Sequence, residues 1–455
     1  MMRYLILTSL IFLTSCTSGH KSETATLANR SPIRVSVDKT LPRQYVSIVF
    51  EGMPEKVDGE DQALFPLMST ILSKGPKGMT EKEYRRFLFL KNADIHYGAR
   101  YRAFTLSLVA PPQYISQVMG LAIDTLRNPK LDKKNINESL ESLKANVASS
   151  FSRMSTAIQY YAFKEFFDFA SFTHNGSASP KRVSGLKWQE VAKKYEKYFS
   201  FENLRYYASG PLSLNDIKSL IASNKNLDAF HYQEYNFAKQ QMPKEKKKIV
   251  IVHRPKVTDY QVILVSPFSV QRDKPEAAIS DIVFEIFGGG LTGRLGTILR
   301  EKKGLTYHVS AHYGQNLPVW YIYSFAGSQQ IKDLLKGMFA VKTDMAGRNI
   351  TANELSLAKR GLVTAFREAN ELPSDRLVRE MQFDLYDLNT SFLNQYESYV
   401  NNVSLKEVND FSNSIFSKNH YSLYLMGDKN VLVPVVKSLS ILKGYEIKIV
   451  EEDNI

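Results

Sequence analysis

The 455-residue sequence contains one cysteine. That excludes an internal disulfide framework, a cysteine-based zinc finger and an iron–sulfur cluster. Its N-terminal apolar run, Tyr4 to Leu13, is ten residues long and too short to span a bilayer. No Gly-x-Ser-x-Gly elbow is present, so an α/β-hydrolase is unsupported. A nucleotide site also lacks its parts. Gly288-x-Gly290-x-x-Gly293 copies a dinucleotide fingerprint, but the segment before it, Ala277–Phe287, has helical rather than strand periodicity. No acidic residue follows between Lys302 and Lys332 to hold a ribose. Arg294-Leu295 stands where a Walker motif needs Lys-Ser/Thr. Metal ligands are scarce too. His308 and His312 are four apart, but their segment alternates like a strand and would hold them ~13 Å from each other.

What is present is a large, ordinary core. Hydrophobic residues make up 44% and charged residues 23%, so wholesale disorder is excluded and two or three domains are expected. The formal charge is +13, which raises nucleic acid, an anionic membrane surface or acidic peptides as partners. The basic residues are scattered, and the densest run, Lys244–Lys248, follows Pro243 and reads as a solvated linker. Nucleic acid is therefore not expected as a partner.

Met1-Met2-Arg3 followed by the Tyr4–Leu13 run matches a secretory signal peptide. Leu13-Thr14-Ser15-Cys16 resembles the bacterial lipobox, which implies cleavage after residue 15 and acylation of Cys16. Thr17 after the cysteine, by resemblance to bacterial sorting rules, implies the outer membrane, with the chain lipid-anchored and facing the periplasm. Residues 16–32, rich in Ser, Thr and Lys, read as a flexible tether.

The remainder reads twice over. A strand at Gln44–Phe50, a helix at Gln62–Ser73 stopped by Lys74-Gly75-Pro76, and strands at Ala93–Tyr97 and Ala103–Val109 open the first half. Helices at Pro112–Arg127, Lys133–Phe167 and Lys187–Phe199 precede a strand at Leu204–Ala208. The second half repeats the order: strands from Lys248 and Gln261, a helix stopped by Gly288-Gly289-Gly290, a shorter helix over Thr292–Lys303, and strands at Leu305–Tyr313 and Val319–Phe325. Three helices then follow, before one at Leu405–Phe416 and a strand ending at Gly427. Gly75 and Gly288 are 213 apart, Tyr97 and Tyr307 are 210 apart, and Gly210 and Gly427 are 217 apart. Offsets that agree to within a few residues indicate a tandem duplication of one α+β unit. The expected organisation is a first domain over 33–228, a linker over 229–247 and a second domain over 248–455.

Phe287-Gly288-Gly289-Gly290-Leu291-Thr292-Gly293-Arg294-Leu295, with Arg300-Glu301-Lys302-Lys303-Gly304-Leu305-Thr306-Tyr307, resembles the C-terminal domain of pitrilysin/insulinase-type zinc peptidases, which include the mitochondrial processing peptidase subunits. The resemblance covers about residues 32–450. It implies two tandem homologous α/β-roll domains, each a mostly antiparallel sheet packed with helices. It assigns Arg300 and Tyr307 to the substrate and its oxyanion, a role open to a guanidinium and a phenol. Gly288, Gly289 and Gly290 permit close backbone approach of substrate, or serve as a plain helix stop. The same family carries His-x-x-Glu-His on the first helix. Here Pro66-Leu67-Met68-Ser69-Thr70 stands there, and Asn146-Val147 stands near the further glutamate. The chain therefore lacks zinc ligands and a general base. The resemblance implies the non-zinc subunit of a heterodimeric envelope peptidase, inactive alone, with zinc in a homologous partner and an unfolded peptide as substrate. The other reading is a pseudo-peptidase that binds peptides or acts as a scaffold lipoprotein.

Overall fold

The computed structural model describes residues 22–57, 61–100, 102–167, 179–199, 202–224, 227, 232–233, 235, 242–243, 247–314, 317–419 and 421–452. The signal peptide, Cys16 and most of the 229–247 linker lie outside the described residues.

Two six-stranded sheets organise the chain. The first is built from β1 (Glu23–Thr26), β2 (Pro32–Val37), β3 (Gln44–Glu51), β4 (Asp94–Arg100), β5 (Ala103–Ala110) and β6 (Leu204–Gly210), in the order β1-β2-β6-β3-β5-β4. The second uses β7 (Lys248–His253), β8 (Asp259–Pro267), β9 (Val309–Tyr313), β10 (Val319–Gly327), β11 (Ser422–Gly427) and β12 (Glu446–Glu451), in the order β12-β7-β11-β8-β10-β9. Five strands of each sheet correspond one to one. The sixth differs in origin: β1 enters from the N-terminus and pairs antiparallel with β2, whereas β12 comes from the C-terminus and pairs parallel with β7. Both sheets are mixed and mostly antiparallel, as the sequence resemblance implied.

Three sequence expectations need correction. The tether does not run to residue 32, because Glu23–Thr26 closes a hairpin onto β2 through a turn in which Asn29 is buried and accepts from Ser31 N. The long helix over Lys133–Phe167 is two helices, Lys133–Ser152 and Met154–Phe166, broken where Arg153 is extended at φ −74°, ψ 115°. Four short helices, at Pro180–Gly185, Leu214–Ser223, Ser391–Asn402 and Lys429–Lys437, are additional to the expected set.

The break at Arg153 has an architectural result. The Met154–Phe166 helix leaves its own half and packs on β8 and β11 of the second sheet. Reciprocally, the Pro373–Leu385 helix of the second half packs on β6 and β2 of the first. Each sheet is therefore covered on both faces. Alternate residues of β8 show it: Val262 and Leu264 join the second-half core, while Ile263 and Val265 join the core of the first half. In β3, Ile48 and Phe50 face the first-half core, and Val49 meets Leu377, Met381 and Leu385. Strands buried on two faces read as continuous apolar runs rather than alternating ones, which is why Lys248–His253 and Ser422–Gly427 look uniformly hydrophobic.

Charge pairs fasten both crossings. Arg34 Nη2 and Nε donate to Asp384 at 2.8 and 3.1 Å, and the Tyr207 hydroxyl donates to the same carboxylate at 3.1 Å. Glu165 on the exchanged helix accepts from Lys248 and, at 2.8 Å, from Lys448. Arg254 pairs with Glu452 and donates to the carbonyls of Phe151 and Ser152 at 3.1 Å each. That guanidinium satisfies free carbonyls at the end of the Lys133–Ser152 helix, next to the break.

Candidate functional site

Arg300 and Tyr307 line one surface cleft of about 550 Å³. Asp259, Glu301, Leu305, Phe325 and Gln330 are among its other walls, and every lining residue among the described residues belongs to the second half. Arg300 sits in a π-helical turn, Gly296–Lys302, a winding that is rare in proteins and frequent at functional sites. The turn ends on Gly304 at φ +59°, whose N–H bonds the Arg300 carbonyl, as in a left-handed helix cap. The Arg300 side chain is 41% exposed and, among the described residues, meets only Glu301 in an ion pair, at 3.5 Å.

Tyr307 is not on a strand, because β9 begins two residues later at Val309. The residue before it causes this. Thr306 is buried, and its Oγ1 donates to the His308 carbonyl at 2.8 Å and accepts from His308 N at 3.1 Å. Ser324 also donates to Thr306 Oγ1 at 3.2 Å. With Thr306 and His308 tied down on either side, Tyr307 is thrown outward and is 84% exposed. A tyrosine packed in the sheet would bury most of its ring; this one leaves ring and hydroxyl available.

The glycine run is mainly a packing device. A Cβ on Gly288 would lie 2.4 Å from Ala311 N and 2.9 Å from Ala311 Cα, so the helix Pro275–Gly288 touches β9 backbone to backbone. One on Gly289 would strike Glu285, whereas Gly290, at φ +61°, has open space around it. Of the three glycines only Gly290 is exposed, and none lines the Arg300–Tyr307 cleft. Arg294, in the same motif, is 5% exposed and bridges Glu354 at 2.8 Å and Asp344 at 3.1 Å. Burial alone would raise the Glu354 pKa, but the bonds from Arg294 and Thr351 outweigh it and hold the carboxyl at about 2. Sequence reading took Arg294 only as part of the motif and singled out neither Glu354 nor Asp344; their charges meet only through the fold.

In the first half, Leu64–Leu72 forms the helix that ends at Gly75. Leu67 and Met68 are fully buried, whereas Pro66, Ser69 and Thr70 are half-buried on the other face. Spacing of three and four places those three residues together. Ser69 and Thr70 spend their hydroxyls on the carbonyls of Phe65 and Pro66, each at 3.0 Å. Asn146 is exposed and Val147 is buried. A zinc ion needs imidazole, thiolate or carboxylate donors, and this face offers none. The residues present do not fit the metal. Among the described residues no group of three or more His, Cys, Asp or Glu could hold one.

A duplicated α/β roll, a cleft built on the second-half motif and a first helix without ligands give a two-domain fold of the pitrilysin/insulinase type without its zinc motif. Residues 186–362 match the family described as "Peptidase M16 inactive domain". It is 19% identical to the "Non-peptidase homolog YmxG" of Helicobacter pylori over 407 residues, covering 88% of this chain and 92% of that one. The peptidase M16 inactive domain from Pseudomonas fluorescens superposes with a TM-score of 0.75 at 18% identity, covering 90% of this chain and 98% of that one. The periplasmic protease PqqL of Escherichia coli gives 0.70 at 12% identity, covering 90% of this chain but 45% of that one.

Proposed function

We propose that the chain is the non-zinc subunit of a two-chain envelope peptidase, anchored through lipidated Cys16, which lends Arg300 and Tyr307 to a zinc-bearing homologue. The observation that carries this reading is the exposure of Tyr307, held out at 84% beside Arg300 by a buried threonine. A scaffold gains nothing from that arrangement, whereas a phenol and a guanidinium on one wall of a cleft can donate to a peptide carbonyl and to the charge that develops on it. Among the described residues the cleft is lined by second-half residues and is not completed by the first helix of the same chain. A second chain would supply the opposite wall. The length relation to PqqL supports this, since one chain of that protease spans about two of this size. Unfolded peptide is the proposed substrate.

The experiment is hydrolysis of a quenched peptide by this chain, by a zinc-bearing homologue from the same envelope, and by their mixture. Activity is expected chiefly in the mixture and lost with Arg300→Ala or Tyr307→Phe. A mixture that stays fully active with both variants removes these residues from the site. A chain that forms no complex with the homologue and still binds peptide establishes the scaffold reading instead.

A further inference from the structure

A second cavity, of about 490 Å³, lies where the helices Pro275–Gly288, Ala352–Glu368, Pro373–Leu385 and Ser391–Asn402 converge. It shares no residue with the Arg300–Tyr307 cleft. Its volume falls within the range of small-molecule sites, about 300–1,000 Å³. The walls combine aromatic rings, guanidiniums and the two carboxylates of Asp281 and Asp375. Phe366, Phe383, Phe392 and Tyr396 give an aromatic lining. Arg272 and Arg379 add two guanidiniums, Arg379 stacked over the Phe366 ring at 5.3 Å and Arg272 over Tyr313 at 5.9 Å. The floor carboxylate, Asp281, is already engaged: the Tyr313 and Tyr396 hydroxyls donate to it at 2.5 and 2.8 Å. Arg272 Nη1 is buried with no hydrogen-bond partner among the described residues.

A buried donor without an acceptor is costly, and an anion that draws the side chain round would relieve it. Guanidiniums bind carboxylates in pairs of parallel bonds, and aromatic walls select a compact apolar body beside them. We propose that this cavity binds a small apolar carboxylate of amino-acid size, its carboxylate on Arg272 and Arg379 and its side chain among Phe366, Phe383 and Phe392. The C-terminal residue of a peptide and a free amino acid share that chemistry. The site stands independently of the peptidase-subunit reading.

The test is calorimetric titration and saturation-transfer NMR on the full chain, with N-acetyl-phenylalanine and N-acetyl-phenylalaninamide as probes. The acid is expected to bind with a dissociation constant on the order of 0.1–1 mM, and the amide about tenfold more weakly or not at all. Free phenylalanine and a hexapeptide ending in phenylalanine then distinguish the two sources. Arg379→Gln should weaken the acid about tenfold. Ala365→Phe, placed at an exposed lining position, should block the cavity without disturbing the core. Equal affinity for acid and amide overturns the proposal. So does the absence of saturable binding up to about 10 mM, or binding unchanged in Ala365→Phe.

Discussion

The reciprocal helix exchange predicts that the two halves stand or fall together, and Leu385→Ala tests it. Leu385 is fully buried in a small cluster with Leu377 and Met381 from its own helix and Val49, Ala103 and Tyr207 from the first-half sheet. Truncating a fully buried leucine removes its transfer energy and leaves a cavity, about 2.7–5 kcal/mol in all. The wall opposite is a β-sheet, which cannot collapse into the gap, so a loss of about 3–4 kcal/mol is expected. With an unfolding entropy of about 2 cal/mol/K per residue, a chain of this length would melt about 3–4 °C lower. Calorimetry and urea unfolding measure the size of the effect. Hydrogen exchange measures its reach, and protection should fall on β6 of the first sheet as well as on the Pro373–Leu385 helix. Exchange rising in the second half alone, or two transitions of which one keeps the wild-type midpoint, would refute the claim that the crossing makes one cooperative body.

Other consequences are equally open to measurement. Arg294→Met removes a buried guanidinium that serves Glu354 and Asp344. It should cost about 3 kcal/mol in urea unfolding, near the low end for a broken buried pair because both carboxylates can rehydrate. Gly288→Ala puts a Cβ against the Ala311 backbone and should cost about 1–3 kcal/mol, with the Arg300 turn displaced along with its helix. Burial would raise the Glu165 pKa, but Lys248 and Lys448 overcome it and hold the carboxyl at about 2. A folded pKa below the unfolded value means that the stabilisation is complete above about 4.5 and drains away as pH falls toward about 2. Glu165→Gln should therefore flatten the acid limb of the stability–pH curve, and an unchanged limb would exclude this anchor. Tyr307→Phe should leave the melting temperature within about 1 °C of wild type, since the ring is exposed; a larger drop would give Tyr307 a structural role.

Much of this protein is local information. Hydrophobic periodicity and glycine stops place most strands and helices, because burial on a 2- or 3.6-residue period leaves its mark in the chain itself. The duplication shows in the near-constant offsets between Gly75 and Gly288 and between Gly210 and Gly427. The missing ligands at Pro66, Ser69 and Thr70 are legible as residue identities, since no fold can make a zinc site of them. β1 is hidden because four exposed or half-exposed residues, Glu23–Thr26, carry no hydrophobic signal and owe their strand to pairing with β2.

Tertiary structure alone decided the rest. No local pattern tells that the Met154–Phe166 helix crosses to the other sheet, because an apolar face does not name the surface that covers it. Tyr307 reads as one more residue of an alternating strand until Thr306, fastened to His308 and Ser324, turns it into solvent. Arg294 and Glu354 are 60 residues apart, and Arg272, Asp281, Arg379 and Tyr396 come from four separate stretches of chain. Sequence therefore fixed which groups exist, while the long-range packing of helices on sheets selected the few that share a cavity.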